Sequence, residues 1–316
     1  MRVNFKLFLF FFILLSAYLQ AAAQQYNFYN YSVNDGLIQS QVSGIVQDKQ
    51  GHLWVSSEGG VSRFDGKKFT QFTTAEGLIS NNVYSMACDA RGRMWFGTDK
   101  GICIFDAVKF TTLKLGSQRK DNVIKQLKAA ANGKVYALAA AKLYDLSSLR
   151  PKQLRINGDT SIKITSIGLS PSGTLWCGTL NKGIFKLSNN GWLRIPYPAD
   201  NKKLLWGTGA FLFYGEDKFL VATNNGIYNN DGKQLFPYQA NTLQAAGPVI
   251  ASSLQKDAEG NTWIGQPSGA LMLDKEGNTT VFNAKNGFSD SRTINIFCDR
   301  DENVWLATDG QGIFRY

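Results

Sequence analysis

Polar turns and short apolar segments alternate along the chain in one recurring pattern. In residues 48–60 a turn that contains Asp48 and Gly51 precedes the apolar triplet 53–55, and Gly59 and Gly60 follow. The same pattern returns at residues 89–101, 170–183, 257–269 and 299–312, with two weaker copies at 130–136 and 215–226. Alternating apolar positions, aromatic residues and glycine-containing turns predict β-strands joined by tight turns.

The spacing of the copies predicts the architecture. One aromatic residue marks each copy, and successive aromatic residues are 41, 41, 40, 43, 44 and 42 positions apart. Repeats of about 40 to 45 residues that carry strand patterns are typical of β-propellers with four-stranded blades. We therefore predict an all-β fold, a seven-bladed β-propeller of antiparallel blades, with its aromatic anchors at Trp54, Trp95, Tyr136, Trp176, Phe219, Trp263 and Trp305.

Two interpretations of the anchors are open. A large ring on the second strand of a blade can fill the gap to the neighbouring blade, where aromatic side chains bury about 150–250 Å² each. A row of exposed aromatic rings can instead stack on sugars. The turn residues have a structural interpretation, because Asp48 can accept backbone N–H bonds and Gly51 can adopt the positive φ of a tight turn.

The two ends of the chain complement each other. Residues 26–37 align with residues 68–78, the segment that ends the first copy. Residues 26–37 therefore resemble an outermost strand that has no blade of its own. Residues 312–316 match a third strand, after which the given sequence stops. We predict that the N-terminal strand pairs with the last blade and closes the ring, which removes an open sheet edge.

The N-terminus has the features of a signal peptide. Arg2 and Lys6 precede an apolar run over residues 7–19, and small residues follow at 21–23. The run is shorter than a membrane span, so cleavage after residue 23 is predicted, with an uncleaved anchor as the alternative. Residues 24–316 then form one propeller domain of an exported, periplasmic protein.

Charge is unevenly distributed. The formal net charge is +10, and the segment 114–163 holds eleven Lys or Arg residues against three Asp. This basic segment, confined to the third repeat, suits an acidic polysaccharide, an anionic surface or a partner protein; a solvated outer edge is the alternative. Nucleic acid is disfavoured as a partner of an exported protein.

The cysteines and the histidine indicate neither disulfides nor a metal site. The repeat places Cys88, Cys103, Cys177 and Cys298 on strands that are not at bridging distance, so four buried, unpaired thiols are predicted. No pair has metal-ligand spacing, and the single histidine, His52, falls in a turn. We expect no metal and no cofactor.

The repeat resembles the two-component regulator propeller repeat. The resemblance rests on Gly-Leu, Asp-x-x-Gly-x-Leu-Trp and Phe-Asp-Gly elements, best in residues 36–66 and 77–106, good in repeats six and seven, and weak in repeats three and five. It implies the periplasmic sensor half of a bacterial receptor that detects glycans. Such receptors also carry a second propeller, a β-sandwich, a membrane helix and a kinase, and can dimerise through those domains. The chain is therefore part of a sensor, or a separate propeller that needs a partner.

The pattern of acidic residues argues against an enzyme. Acid and base catalysis requires paired carboxylates or a histidine around one site, whereas the acidic residues here recur in turns. A ligand-binding sensor is favoured over a protein-interaction scaffold, and a propeller lyase or glycosidase is the least favoured. Loops that link successive blades, or second to third strands, share one rim. An oligo- or polysaccharide is the expected ligand, and the candidate binding residues are Gln39, Gln41, Asn81, Asn82, Asp99, Lys100, Asn181, Lys182, Asn224, Asn225, Asp290, Arg292, Asp309 and Gln311.

Overall fold

Each repeat forms one four-stranded antiparallel sheet, and seven such sheets make up the protein. The structure is a computed structural model that describes residues 25–196, 208–238 and 250–316. Short 3-10 helices lie in connections at Val33–Asp35, Arg119–Asn122, Ile156–Gly158 and Ala284–Asn286. The predicted seven-bladed propeller is confirmed. The predicted signal peptide, residues 1–23, lies outside the described residues.

The strands of each blade run in chain order from the innermost to the outermost position. Blade one comprises β2 Val42–Gln47, β3 Leu53–Ser57, β4 Val61–Phe64 and β5 Phe69–Phe72; blade two comprises β6 Val83–Cys88, β7 Met94–Thr98, β8 Ile102–Phe105 and β9 Phe110–Leu113; blade three comprises β10 Ile124–Ala129, β11 Val135–Ala139, β12 Lys142–Asp145 and β13 Lys152–Leu154. Blade four comprises β14 Ile164–Leu169, β15 Leu175–Thr179, β16 Ile184–Ser188 and β17 Gly191–Arg194; blade five comprises β18 Thr208–Phe213, β19 Lys218–Thr223, β20 Gly226–Asp231 and β21 Leu235–Pro237; blade six comprises β22 Ser253–Lys256, β23 Thr262–Gly265, β24 Ala270–Leu273 and β25 Thr279–Phe282. Blade seven comprises β26 Thr293–Cys298, β27 Val304–Thr308 and β28 Ile313–Arg315, and β1 Tyr29–Tyr31 is its fourth strand.

The N-terminal strand closes the ring as predicted. Strand β1 pairs antiparallel with β28, with Tyr29 opposite Arg315. The Phe28 ring lies 5.5 Å from the ring of Phe282 in blade six and 5.2 Å from that of Tyr316 in blade seven. Blade seven therefore takes its outermost strand from the start of the chain, and aromatic contacts hold that strand to blade six as well.

The tryptophan anchors pack between blades. Trp54 of blade one is 1% exposed and lies in one apolar cluster with Val83 and Phe96 of blade two. Its indole N–H donates to the carboxylate of Asp48 at 2.8 Å, in the turn between the first two strands. The same bond recurs in three other blades, from Trp95 to Asp89, Trp263 to Asp257 and Trp305 to Asp299. The anchors are buried wedges, so they do not form a sugar-stacking row.

The predicted anchor of blade five is wrong by one residue. In four of the five blades with a tryptophan anchor, the anchor lies three residues before the serine or threonine that ends the second strand. In blade five the second strand ends at Thr223. Leu220 occupies the anchor position, opposite Leu212, and packs in the cluster shared with blade six. Phe219 faces the other way, with its ring 4.9 Å from Trp176 of blade four. Side chains alternate along a strand, so a slip of one residue selects the opposite face.

All four cysteines are unpaired, but only two are buried. Cys103 and Cys177 are buried, and burial raises the pKa of the Cys177 thiol far above its usual value. Cys88 and Cys298 are half-buried, which corrects the prediction of four buried thiols. In the three described ranges, no helix is long and apolar enough to cross a membrane.

Candidate functional site

One face of the ring, here called the upper face, carries the loops that join successive blades and those that join second to third strands. Two isolated bridges show that the two loop types meet there: Gln41 pairs with Asp309, and Gly269 with Arg292. Each bridge joins a loop of one blade to a loop of the neighbouring blade. At these two junctions of the upper rim, adjacent blades can therefore contribute to one site.

Several predicted site residues stabilise this rim. The Asn81 side chain accepts the backbone N–H of Thr74 at 2.8 Å, and Asp290 accepts that of Ala284 at 3.1 Å. Asn181 adopts a left-handed backbone conformation with φ of 62°. These three residues shape the loops, which is sufficient reason for their polar character. Asn82 is half-buried in the same loop as Asn81.

The other predicted residues divide between separate parts of the rim. Gln39, Gln41, Asp309 and Gln311 lie at the junction of blades seven and one, where Gln39 Nε2 donates to Gln41 Oε1 at 3.2 Å. The remaining exposed candidates follow the rim through other blades, at Lys100, Lys182, Asn224, Asn225 and Arg292. The structure therefore does not collect the fourteen residues into one pocket, and their role in binding stays a prediction.

Asp99 is the most unusual rim residue. It is 8% exposed, and its Oδ1 atom has no hydrogen-bond partner among the described residues. Its Oδ2 lies 3.7 Å from Nη2 of Arg119, whose side chain is 83% exposed. Burial raises the pKa of nearby Tyr84, and the negative charges of Asp99 and Glu58 add to that shift. A buried acceptor without a partner is rare in folded proteins and calls for a ligand or water.

The acidic groups of the opposite, lower face hold the turns. Asp89 Oδ2 accepts bonds from the Trp95 indole and from Arg93 Nε, both at 2.8 Å, while Oδ1 accepts backbone N–H groups of the turn. Burial acts to raise the pKa of Asp89, but these hydrogen bonds and the Arg93 charge outweigh it and lower the pKa. His52 contacts the equivalent Asp48 at 3.0 Å. These groups serve the scaffold.

Blade four replaces this aspartate with Ser170. The Trp176 indole N–H is buried there without a partner among the described residues. Glu216 of blade five extends across to Ser170 Oγ at 2.7 Å and to the backbone N–H of Ser172 at 2.8 Å. A carboxylate from the next blade thus holds this turn, although it does not bond the indole.

The sequence did not single out the residues that line the central channel. The first strands of the blades enclose a cavity of about 550 Å³ around the axis. In six blades the register of the first strand shifts near its start, as between Ile124 and Gln126 of β10. Such a shift is a β-bulge, in which the strand contains one extra residue whose side chain points in a new direction. In blades one, two, three and seven the extra residues that line the cavity are Ser43, Tyr84, Lys125 and Ile294.

Comparisons with known proteins agree with this architecture. Residues 36–59 and 77–100 match the model of the family described as two component regulator propeller. No curated protein sequence matches the chain. The matched segments are those on which the resemblance of the repeat rests most strongly, and the resemblance is confirmed.

Similar solved structures include sensors and enzymes. The extracellular domains of the hybrid two component systems BT3049 and BT4673 from B. thetaiotaomicron are 18% and 22% identical, with TM-scores of 0.70 and 0.72, and each covers 92% of this chain. The chain spans 42% and 39% of their respective lengths. Virginiamycin B lyase from Staphylococcus aureus is 14% identical with a TM-score of 0.71, and the match covers 92% of this chain and 97% of the lyase. At these identities the likeness shows the fold alone. The chain is a seven-bladed β-propeller whose first two repeats match the two component regulator propeller model.

Proposed function

We propose that this propeller is a non-enzymatic, extracytoplasmic ligand-binding module of a two-component sensor, and that its ligand is a glycan bound at the upper rim. The observation that carries the proposal is the buried Asp99 carboxylate at the upper rim, whose Oδ1 has no hydrogen-bond partner in the described part of the chain. The hydroxyl groups of a sugar can donate hydrogen bonds to such a carboxylate oxygen. A hydrogen bond to a charged group contributes about 1.5–3 kcal/mol.

The commitment of the repeat aspartates and the histidine to the scaffold supports binding without turnover. The four repeat aspartates are bonded to indole N–H groups, and the only histidine is bonded to one of those aspartates. Catalysis by general acid and base would require a pair of such groups beside a substrate, whereas Asp99 is a single carboxylate. The similarity to extracellular sensor domains supports a sensor role and a location outside the cytoplasm. A second propeller as partner is part of the proposal and rests on the resemblance of the repeat alone.

A glycan array followed by calorimetry on the purified protein tests the proposal. Asp99→Asn removes the charge with little change of shape, and we expect it to weaken binding of the captured glycan about tenfold or more. Asp65→Asn is the matched control, since Asp65 is an exposed turn aspartate on the lower face that accepts two backbone N–H groups. Equal affinities of the two variants would place the site elsewhere.

The same samples separate binding from catalysis. The similarity to a lyase makes this comparison necessary, because one propeller fold supports both functions. Mass spectrometry of the glycan after prolonged incubation should recover it intact. A cleaved product would refute the non-enzymatic proposal, whatever the affinity.

A further inference from the structure

The central channel has an unbalanced positive charge. Among the described residues that line its cavity, the only charged side chains are Lys125 and Lys128, and none is Asp or Glu. Both lysines lie on β10, the innermost strand of blade three. From the sequence, both lysines belong to the basic segment 114–163, which suits an anionic partner or, as the alternative, a solvated outer edge. The structure instead places these two at the axis of the ring.

Lys128 has no partner in the described part of the chain. It lies on the first strand of blade three, directly opposite Tyr136, which is the anchor of that blade. Its side chain is open to the channel, while the surrounding protein hinders hydration of the ammonium and lowers the pKa of Lys128. The equivalent positions of the other blades carry no charge: Val46, Ala87, Gly168, Leu212, Gln255 and Phe297.

Lys125 enters the channel through the bulge of β10. Its ammonium lies 4.2 Å from the centre of the Tyr84 ring, and Tyr84 is the bulge residue of the neighbouring blade. This cation–π contact holds Lys125 in place without neutralising its charge. The bulge matters because in a regular strand residues three apart point to opposite faces. Two lysines three residues apart can therefore line the same cavity.

We propose that the central channel is a binding site for a small oxyanion, a carboxylate or a sulfate, and that Lys125 and Lys128 supply its positive charge. Because none of the described residues that line the cavity is Asp or Glu, these two cations attract anions into the channel, and the attraction grows as the surroundings exclude water. The ammonium of lysine is a compact point charge suited to an oxyanion of any orientation. A cavity of about 550 Å³ can hold a ligand as large as a monosaccharide acid. The site does not depend on the proposed function of the rim.

Binding is measured by calorimetry at low ionic strength with three probes: inorganic sulfate, glucuronate and neutral glucose. We expect the wild type to bind sulfate or glucuronate and to leave glucose unbound at the same concentration. Binding of glucuronate alone identifies a carboxylate on a sugar as the ligand. Binding of sulfate as well identifies a general oxyanion site. The affinity should fall as salt is added, because screening weakens the attraction.

Three variants locate the site. Lys128→Gln and Lys125→Gln should each weaken anion binding about tenfold or more, whereas Lys128→Arg keeps the charge and should retain most of it. Lys152→Gln is the matched control, since it removes the same charge from β13, the outermost strand of the same blade. Thermal melting of each variant verifies its fold.

If a glutamine variant does not fold, NMR of isotopically methylated lysines gives the answer on the wild type. The Lys128 signal should move on addition of anion, and its apparent pKa should rise because the anion favours the ammonium form. The proposal is overturned if neither sulfate nor glucuronate binds, if binding survives both glutamine substitutions, or if the Lys128 signal is unchanged at saturating anion.

Discussion

Substitution of Asp89 by alanine tests whether the repeat aspartate holds the inter-blade wedge. Asp89 is 4% exposed and accepts four hydrogen bonds, two of them from side chains. Removing the carboxylate leaves the indole N–H of Trp95, itself 0% exposed, without a partner. An unsatisfied buried polar group costs about 1–3 kcal/mol. Arg93 and the turn N–H groups can form hydrogen bonds to water more readily than the buried indole can. We therefore expect the free energy of unfolding to fall by about 2–4 kcal/mol in total.

Urea denaturation followed by tryptophan fluorescence measures this loss. The control is Asp65→Ala, because Asp65 also accepts two backbone N–H groups at 2.9 Å in a turn but contacts no indole. We expect the control to lose clearly less stability than Asp89→Ala. Equal losses in the two variants, or a loss below about 1 kcal/mol for Asp89→Ala, would refute the role of the indole bond.

The effect should depend on pH with a defined sign. The pKa of Asp89 is lowered in the folded protein from its ordinary value of 3.8. Its ionised form therefore stabilises the fold fully above that ordinary value, and the contribution is lost as the pH falls through the lower, folded value. The stability difference between wild type and Asp89→Ala should be constant near neutral pH and should shrink below pH 3.8. A difference that grows on acidification would contradict this assignment.

Three further predictions follow from the fold. Deleting Tyr26–Asn34 removes β1 and exposes the edge of β28, so the melting temperature should fall or aggregates should appear in size-exclusion chromatography; an unchanged melt would contradict ring closure. Gly97→Ala places a methyl group 2.7 Å from Ile124 Cγ2 and should lose about 1–3 kcal/mol, whereas Gly44→Ala, with its nearest contact at 3.4 Å, should lose less; equal losses would argue against the close blade contact. Alkylation without reductant should label four thiols after denaturation and should spare Cys103 and Cys177 in the native protein; a disulfide-linked peptide would refute this.

The fold could be predicted because its determinants are local and repeated. Turn aspartate, turn glycine and strand tryptophan lie within a few residues of one another, so each copy indicates the same hairpin independently. The bond from Trp54 to Asp48 was missed, although the spacing of six residues recurs in four blades. That spacing could have indicated a side-chain contact. Blade five was misaligned by one residue because Phe219 is aromatic, whereas burial follows the pairing register that places Leu220 at the anchor position.

The site could be predicted only in outline. Which loops share the upper rim follows from the strand order, and the structure agrees. Which residues point into the channel depends on bulges that shift the register by one residue, and a sequence pattern of period two does not locate them. The sequence therefore places Lys125 and Lys128 in a basic segment that suits an anionic partner or a solvated outer edge, and it does not place them in the channel. The side-chain oxygens of Asn81 and Asp290 stabilise loops in the structure, and their role in binding stays a prediction. Amide and carboxylate oxygens can serve either role, so the sequence alone does not distinguish the two.

Hydrogen–deuterium exchange with and without a saturating glycan tests whether a ligand binds at the upper rim. We expect the glycan to slow exchange in the upper loops at residues 58–60, 99–101 and 309–312. Exchange should not change in the lower turns at residues 48–52, 89–93 and 299–303, where the aspartates hold the scaffold. Protection confined to the lower turns, or no protection at saturation, would contradict the account.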